Sequence, residues 1–197
     1  MGKILQYTNR CQPIGRILNL NLAKAGVFRC AEMRDKMAIR NIRVMGDEIL
    51  SKVCKPVREM TDKNRELIQD MLDTMYEADG VGLAAPQVGI LKRIAVVDVT
   101  EDRSNPIVMV NPRVVSAEGE QRGSEGCLSV PEKVGIVTRP QKVCVEAQDV
   151  NMKTVKINGE GLLARALVHE IDHLEGHLYV ERIEGRLYDV DEFEEEE

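Results

Sequence analysis

Residues 159–176 read GEGLLARALVHEIDHLEG. Leu162, Ala166, His169 and His173 stand at offsets of 4, 7 and 11 from the first of them, so they share one face of a 3.6-residue period. Leu163, Leu167, Ile171 and Leu174 form a second apolar row beside it. A helix that is apolar on two faces belongs inside a domain rather than on its surface. Gly161 precedes the helix, and Gly176 supplies the left-handed residue that ends it.

His169 and His173 project from successive turns toward one point, which is the geometry a single transition-metal ion requires. Glu170 points about 100° around the helix from His169, which suits it to hold a water beside an ion rather than to ligate the ion. The plainer reading is two core histidines satisfied by hydrogen bonds. Against it, these are two of only 3 histidines in the chain, set at ligand spacing on a buried face. The third, His177, falls past the helix stop and reads as a surface residue. A catalytic site wants three protein ligands and an open position, and a structural site wants four. An acid or one of the 5 cysteines (Cys11, Cys30, Cys54, Cys127, Cys144) can complete the set, and spacing does not choose among them. Cys127 stands out within EGCLSVP (125–131), between Gly126 and Leu128, where a backbone corner can present its sulfur. A lone cysteine is more often a small inert hydrophobe.

A chain of 197 residues suits one domain with an appendage. The net charge of −6 disfavours a nucleic-acid surface as the main function. No apolar run approaches the roughly 18 residues that cross a membrane as a helix. An odd, scattered set of cysteines points to a reducing compartment rather than a disulfide framework. Residues 1–31 carry Lys3, Arg10, Arg16, Lys24 and Arg29 and no acid, and their apolar residues keep no sustained period. Such a leader fits an organelle transit segment, a disordered extension, or residues upstream of a true start at Met37. The expected division is a basic extension at 1–36, dispensable or poorly ordered, a catalytic domain at 37–185, and an acidic tail at 186–197.

Within the domain, Thr61 or Asp62 can cap a helix whose apolar face is Leu67, Ile68, Met71, Leu72 and Met75, stopped at Asp79 and Gly80. GVGLAAPQVG (80–89) follows. It is a loop of Gly and Ala that lets another backbone approach closely, with Gln87 its one side chain able to donate and accept. β signals cover 94–99, 107–110 (interrupted by Asn111 and Pro112), 134–138, 142–148 and 153–157, and one more short strand is expected at 178–180. Strands and helices segregate along the chain, so the expected fold is α+β with largely antiparallel sheets packed around the helix that bears HExxH. The end, DVDEFEEEE (189–197), is expected to be solvated and frayed by like-charge repulsion.

Three blocks in order, GVGLAAPQ (80–87), EGCLS (125–129) and HEIDH (169–173), closely resemble the peptide deformylases. The resemblance runs from about Met37 to about Ile183. It implies that Cys127, His169 and His173 hold one divalent metal ion and that Glu170 passes a proton from water to the leaving amine. It also implies that the Gln87 amide and the Leu128 N–H stabilise an oxyanion. The family removes the formyl group from N-formylmethionine at the start of new polypeptides, releasing formate. Its metal is associated with ferrous iron, with nickel or cobalt also active and zinc often poorer. Gly80, Val81 and Gly82 are expected to meet the substrate backbone, and Val81, Leu162 and Ala166 to wall an apolar pocket for the methionine side chain. The implied partner is the formylated nascent peptide, met near the ribosome in a bacterial cytoplasm, with organellar import through the leader as the alternative. No direct nucleic-acid or membrane site is expected. Rival readings are an ordinary HExxH zinc metalloprotease and a non-catalytic homologue stabilised by metal.

Overall fold

The computed structural model describes residues 38–195; the 1–36 leader with Cys11 and Cys30 lies outside the described residues. Thr61 starts the first helix, its hydroxyl accepting from the Asn64 N–H at 3.3 Å. Helix α1 then runs over Asp62–Glu77, and its buried stripe of Leu67, Ile68, Met71 and Met75 keeps helical spacing. Strands follow at β1 (Gly82–Ala84), β2 (Ile94–Val97), β3 (Ile107–Glu118), β4 (Gln121–Cys127), β5 (Val130–Arg139), β6 (Lys142–Gln148) and β7 (Thr154–Glu160). Helix α2 (Leu162–Glu175), strand β8 (Glu184–Asp189) and the short helix α3 (Val190–Glu195) complete the described chain.

Among the described residues the strands form two sheets, ordered β1-β2-β3-β6-β7 and β4-β5-β8, and every pairing is antiparallel. This is an α+β fold with antiparallel sheets. Strand β2 is buried at all four positions, and its period-2 alternation divides the interior. Ile94 and Val96 join Leu83 and Val110 in a cluster with the α1 stripe. Ala95 and Val97 join Ala84 and Met109 in a second cluster with Ala164, Leu167, Ile171 and Leu174 of α2. The large sheet therefore carries α1 on one face and α2 on the other. Gly176 closes α2 at φ +85°, the left-handed stop expected from its position.

Four expectations change. The interruption expected at Asn111 and Pro112 is a bulge within one strand: β3 runs on through it, past Val114 and Val115, to Glu118 against β6, with Asn111 at φ +52°. Strand β4, QRGSEGC, lacks the apolar alternation that would announce it and exists because it pairs with β5 along its length. Residues 178–180 belong to a 3-10 turn rather than a strand. There Leu178 and Tyr179 are buried with Val130 and Val137, and the Glu181 carboxylate accepts from the Leu178 N–H. The boundary at 185/186 falls inside β8, so the acidic tail is not simply frayed over its described part. Strand β8 pairs with β5, Lys133 bonds Asp189 at 2.7 Å, and Phe193 is buried beside the Tyr188 ring. Aromatic burial and pairing offset the like-charge repulsion there.

Candidate metal centre and the cleft beside it

A register shift between Gly126 and Cys127 ends the regular pairing of β4 with β5 and turns the cysteine toward α2. Its sulfur lies 3.2 Å from His173 Nε2, which in turn lies 3.2 Å from His169 Nε2. All three donor atoms fall within 4.8 Å of one another. A tetrahedral ion with ordinary Zn–N and Zn–S bonds has donor separations of about 3.3 Å and about 3.5 Å, so the spacing fits one ion held by three ligands. A thiolate with two imidazoles also suits ferrous iron, cobalt, nickel or zinc.

Two imidazoles this close cannot both be charged. Burial opposes a proton on His169, but the nearby Cys127 sulfur and the hydrogen bond to Glu125 outweigh it and hold that histidine well above the ordinary range. Burial and the charge on His169 push His173 well below it. At most one of the two imidazoles is thus cationic, the one whose Nδ1 faces the Glu125 carboxylate.

Glu125 fixes the orientation of His169. Its carboxylate, fully buried, accepts from His169 Nδ1 at 2.5 Å, from Arg139 at 2.6 and 3.1 Å, and from Arg165 at 2.9 Å. Burial alone would raise this carboxyl, but His169 and Arg139 hold it well below the usual carboxylate range. Arg139 also donates to Asp172, which takes two further bonds from Arg182. Each buried charge is paired, as burial requires. The result leaves Nε2 of His169 facing the ligand cluster.

Glu170 occupies the next position on α2 with a different environment. It is buried beside Gly82, and its Oε2 has no hydrogen-bond partner among the described residues. Burial pushes its carboxyl up to about 7. A carboxyl poised there can both take and return a proton near neutral pH.

Gln87 lies in a 3-10 turn over Ala85–Val88 and is 1% exposed. Its Oε1 accepts from the Ala84 N–H at 2.8 Å, and its Nε2 donates to Ser129 Oγ at 3.1 Å. The amide thus has one fixed orientation, with Nε2 also 3.5 Å from the Cys127 sulfur. A small cavity of about 50 Å³ opens here, lined by Gly80, Val81, Gly82, Gln87, Cys127, Leu128, Ala166, His169 and Glu170, together with Asp79 and Gly126. It has room for about three or four water-sized groups. Leu162 is not in this lining: it begins α2 one turn before Ala166, about 6 Å farther along the axis. His177 is half-exposed and pairs with Glu181, as a surface residue would.

The residues that sequence reasoning missed are the supports: Glu125, Arg139, Arg165, Asp172 and Ser129. One signal was available, since Arg165 and Asp172 are charges inside an otherwise apolar helix and such charges are buried only when paired. Arg139, on β5, carries no comparable local signal.

A family model described as polypeptide deformylase matches residues 39–187. A peptide deformylase of Lachnoclostridium phytofermentans is 58% identical over 161 residues, covering 82% of this chain and 99% of the relative. That of Agathobacter rectalis is 60% identical over 154 residues, covering 78% and 96%. Among solved structures, a Legionella pneumophila peptide deformylase superposes with a TM-score of 0.73 at 50% identity, covering 75% of this chain and 87% of its own. One from Synechococcus elongatus in complex with actinonin gives 0.73 at 42% identity, covering 77% and 84%. With a family match over residues 39–187 and relatives this similar, the chain belongs to the polypeptide deformylase family.

Proposed function

We propose that this chain removes the N-formyl group from the initiator methionine of new polypeptides, with Cys127, His169 and His173 holding one divalent ion and Glu170 moving the proton. The observation that carries the assignment is the convergence of those three donors beside an unpartnered, buried carboxyl at the head of a cleft. When bound, the ion supplies Lewis acidity and lowers the pKa of water from 15.7 toward about 7. Glu170 takes the proton from the attacking water and returns it to the amine as the C–N bond breaks, giving formate and a free N-terminus. The Gln87 amide and the Leu128 N–H donate to the oxygen on which negative charge develops. One N–H of Gln87 is committed to Ser129. The other faces the sulfur across 3.5 Å, a weak partner that an oxyanion would replace.

Among the described residues strand β1 is an edge of its sheet, paired only with β2, and β4 pairs only with β5. The cleft is lined from both, by Gly80 to Gly82 on one side and Gly126 to Leu128 on the other. An extended peptide fits there through its backbone, which leaves its sequence beyond the first residue largely free. Val81 and Ala166 would wall the methionine pocket, with Leu162 at its outer end. We assign ferrous iron as the native ion, a cytoplasmic location near the ribosome, and a catalytic role to the domain from 37 onward without the leader. Among the described residues no helix is long and apolar enough to cross a membrane.

Formate release from formyl-Met-Ala-Ser, with metal analysis on the same anaerobic preparation, tests the reading. Turnover that tracks about one equivalent of iron supports it. Cleavage of casein without formate release would point to an ordinary metalloprotease instead. The Gln87→Ala variant is expected to lower kcat by about 10² or more, as loss of one oxyanion donor does.

A further inference from the structure

The two proposed oxyanion donors come from loops of different sheets, Gln87 after β1 and Leu128 after β4. Among the described residues β4 pairs only with β5 and β1 only with β2, and no strand ladder there fixes the distance between the loops. What spans them in the main chain is the segment at 43–45. The Arg43 N–H donates to the Gln87 carbonyl at 2.7 Å, and the Met45 N–H donates to the Ser129 carbonyl at 2.7 Å. Each contact falls on, or next to, a residue of the donor pair.

This strap is itself anchored on both sides. Upstream, the Arg40 N–H donates to Thr74 Oγ1, and its guanidinium gives two hydrogen bonds to the buried Asp70 of α1. The Arg43 guanidinium lies against Gly89, where a Cβ would come within 3.3 Å of it. Downstream, the Asp47 N–H bonds the Val44 carbonyl at 3.0 Å and Gly46 stands at φ +104°, which closes a type II turn over 44–47. Asp47 then caps the 3-10 turn at Glu48–Ser51, which places Leu50 in the interior. The side chains of Val44 and Met45 are about half exposed, so the segment contributes through its backbone rather than by filling space.

We propose that the 43–45 strap is a positioning element for the oxyanion-binding pair, setting the separation of the Gln87 amide from the Leu128 N–H through the amides of Arg43 and Met45. The proposal rests on the reading of Gln87 and Leu128 as oxyanion donors. The strap touches neither substrate nor ion, and its effect reaches the chemistry only through the two loops it ties.

The turn supplies a clean test. Met45 occupies the second position of a type II turn, whose backbone proline fits, so Met45→Pro removes the N–H while its ring carbon, taking the hydrogen's place, pushes the Ser129 carbonyl away. Met45→Ala, which shortens the same side chain and keeps the N–H, is the reference. Relative to it, Met45→Pro is expected to lower kcat by about tenfold or more, since misplacing a reacting group by about 1 Å costs up to about 10². KM for formyl-Met-Ala-Ser and metal content are expected to hold, because the substrate cleft and the ligand set are untouched, while Tm falls by no more than a few degrees with the lost bond. In the Gln87→Ala background the proline change is expected to add less than about threefold, the non-additivity of two changes acting on one coupled donor pair.

Equal kcat for the Pro and Ala variants would overturn the proposal, as would a full multiplicative loss in the Gln87→Ala background. Should Met45→Pro lower Tm by more than a few degrees or reduce metal content, Arg43→Pro removes the other bond of the strap and gives the same comparison against Arg43→Ala. If Gln87→Ala alone leaves kcat unchanged, the oxyanion reading itself fails, which is a separate result.

Discussion

Gly82 is the place where the fold leaves the least room for change. A Cβ built there would sit 2.2 Å from Glu170 Oε1, 2.8 Å from Cδ and 3.0 Å from Cγ. Ordinary van der Waals contact begins at about 3.5 Å, so the carboxylate must retreat by about 1 Å. It has little freedom to do so, because Glu170 is 4% exposed on a helix packed against the same sheet. The backbone raises no objection, since Gly82 does not adopt a positive φ and pairs normally with Val97. Alanine in a strand is favoured over glycine by about 0.5–1 kcal/mol, and crowding costs about 1–3 kcal/mol. Gly82→Ala is therefore expected to change stability by no more than about 2 kcal/mol. Displacing Glu170, the proposed proton-transfer group, by about 1 Å is expected to reduce kcat by about 10². Formate release measured alongside Tm and bound metal separates the two effects. A variant that keeps kcat within about threefold of the parent would refute the idea that the glycine is required by its approach to Glu170.

Other expectations follow from the same geometry. Glu170→Gln should abolish turnover and retain stoichiometric metal, whereas Cys127→Ala should lose the metal; a Cys127 variant with full metal content would move the third ligand elsewhere. Glu125→Gln should weaken metal binding by about 10–100-fold, read by competition with a chelator, because it loosens the partner that orients His169. In metal-free protein the depressed carboxyl of Glu125 contributes stability that is fully present above its unfolded value of about 4.5 and is lost as pH falls toward its folded value. The Tm of the parent should thus drop more steeply between about pH 5 and pH 3 than that of Glu125→Gln, and parallel curves would exclude the linkage. Deletion of residues 1–36 should leave formate release and Tm unchanged, and a Tm loss of more than about 5 °C would count against a dispensable leader.

The ligand helix was legible because its information is local. His169 and His173 declare their shared face by spacing alone, and Gly176 declares the stop. The strands at 94–97 and 142–148 were legible for the same reason, through Val and Ile content or alternation. Strand β4 was not, since Gln121 to Cys127 includes two glycines and no aliphatic residue, and only its partner β5 makes it a strand. Choosing Cys127 as third ligand among 5 cysteines likewise needed either a family resemblance or the fold, because β4 brings it 46 residues back along the chain to His173. The tail misled because charge dominates DVDEFEEEE, while one buried phenylalanine and the pairing of β8 decide its described part.

The supports of the site were the least legible part, and the reason is physical. Helix α2 meets the large sheet through apolar side chains, and area burial is non-directional, so it fixes proximity more tightly than rotation about the helix axis. Its opposite side meets the small sheet through Arg165, His169 and Asp172, held by Glu125 and Arg139 with directional bonds. Breaking such a buried pair costs about 3–5 kcal/mol, although its replacement by a well-packed apolar set can be neutral. The network is thus poorly explained by stability alone. It is better explained by orientation, because a small rotation of α2 would carry His169 and His173 away from a sulfur that belongs to the other sheet. On that account Arg139→Met and Arg165→Met together with Glu125→Leu and Asp172→Leu can leave Tm near that of the parent while metal affinity falls, and such a variant with unaltered affinity would return the network to a purely structural role.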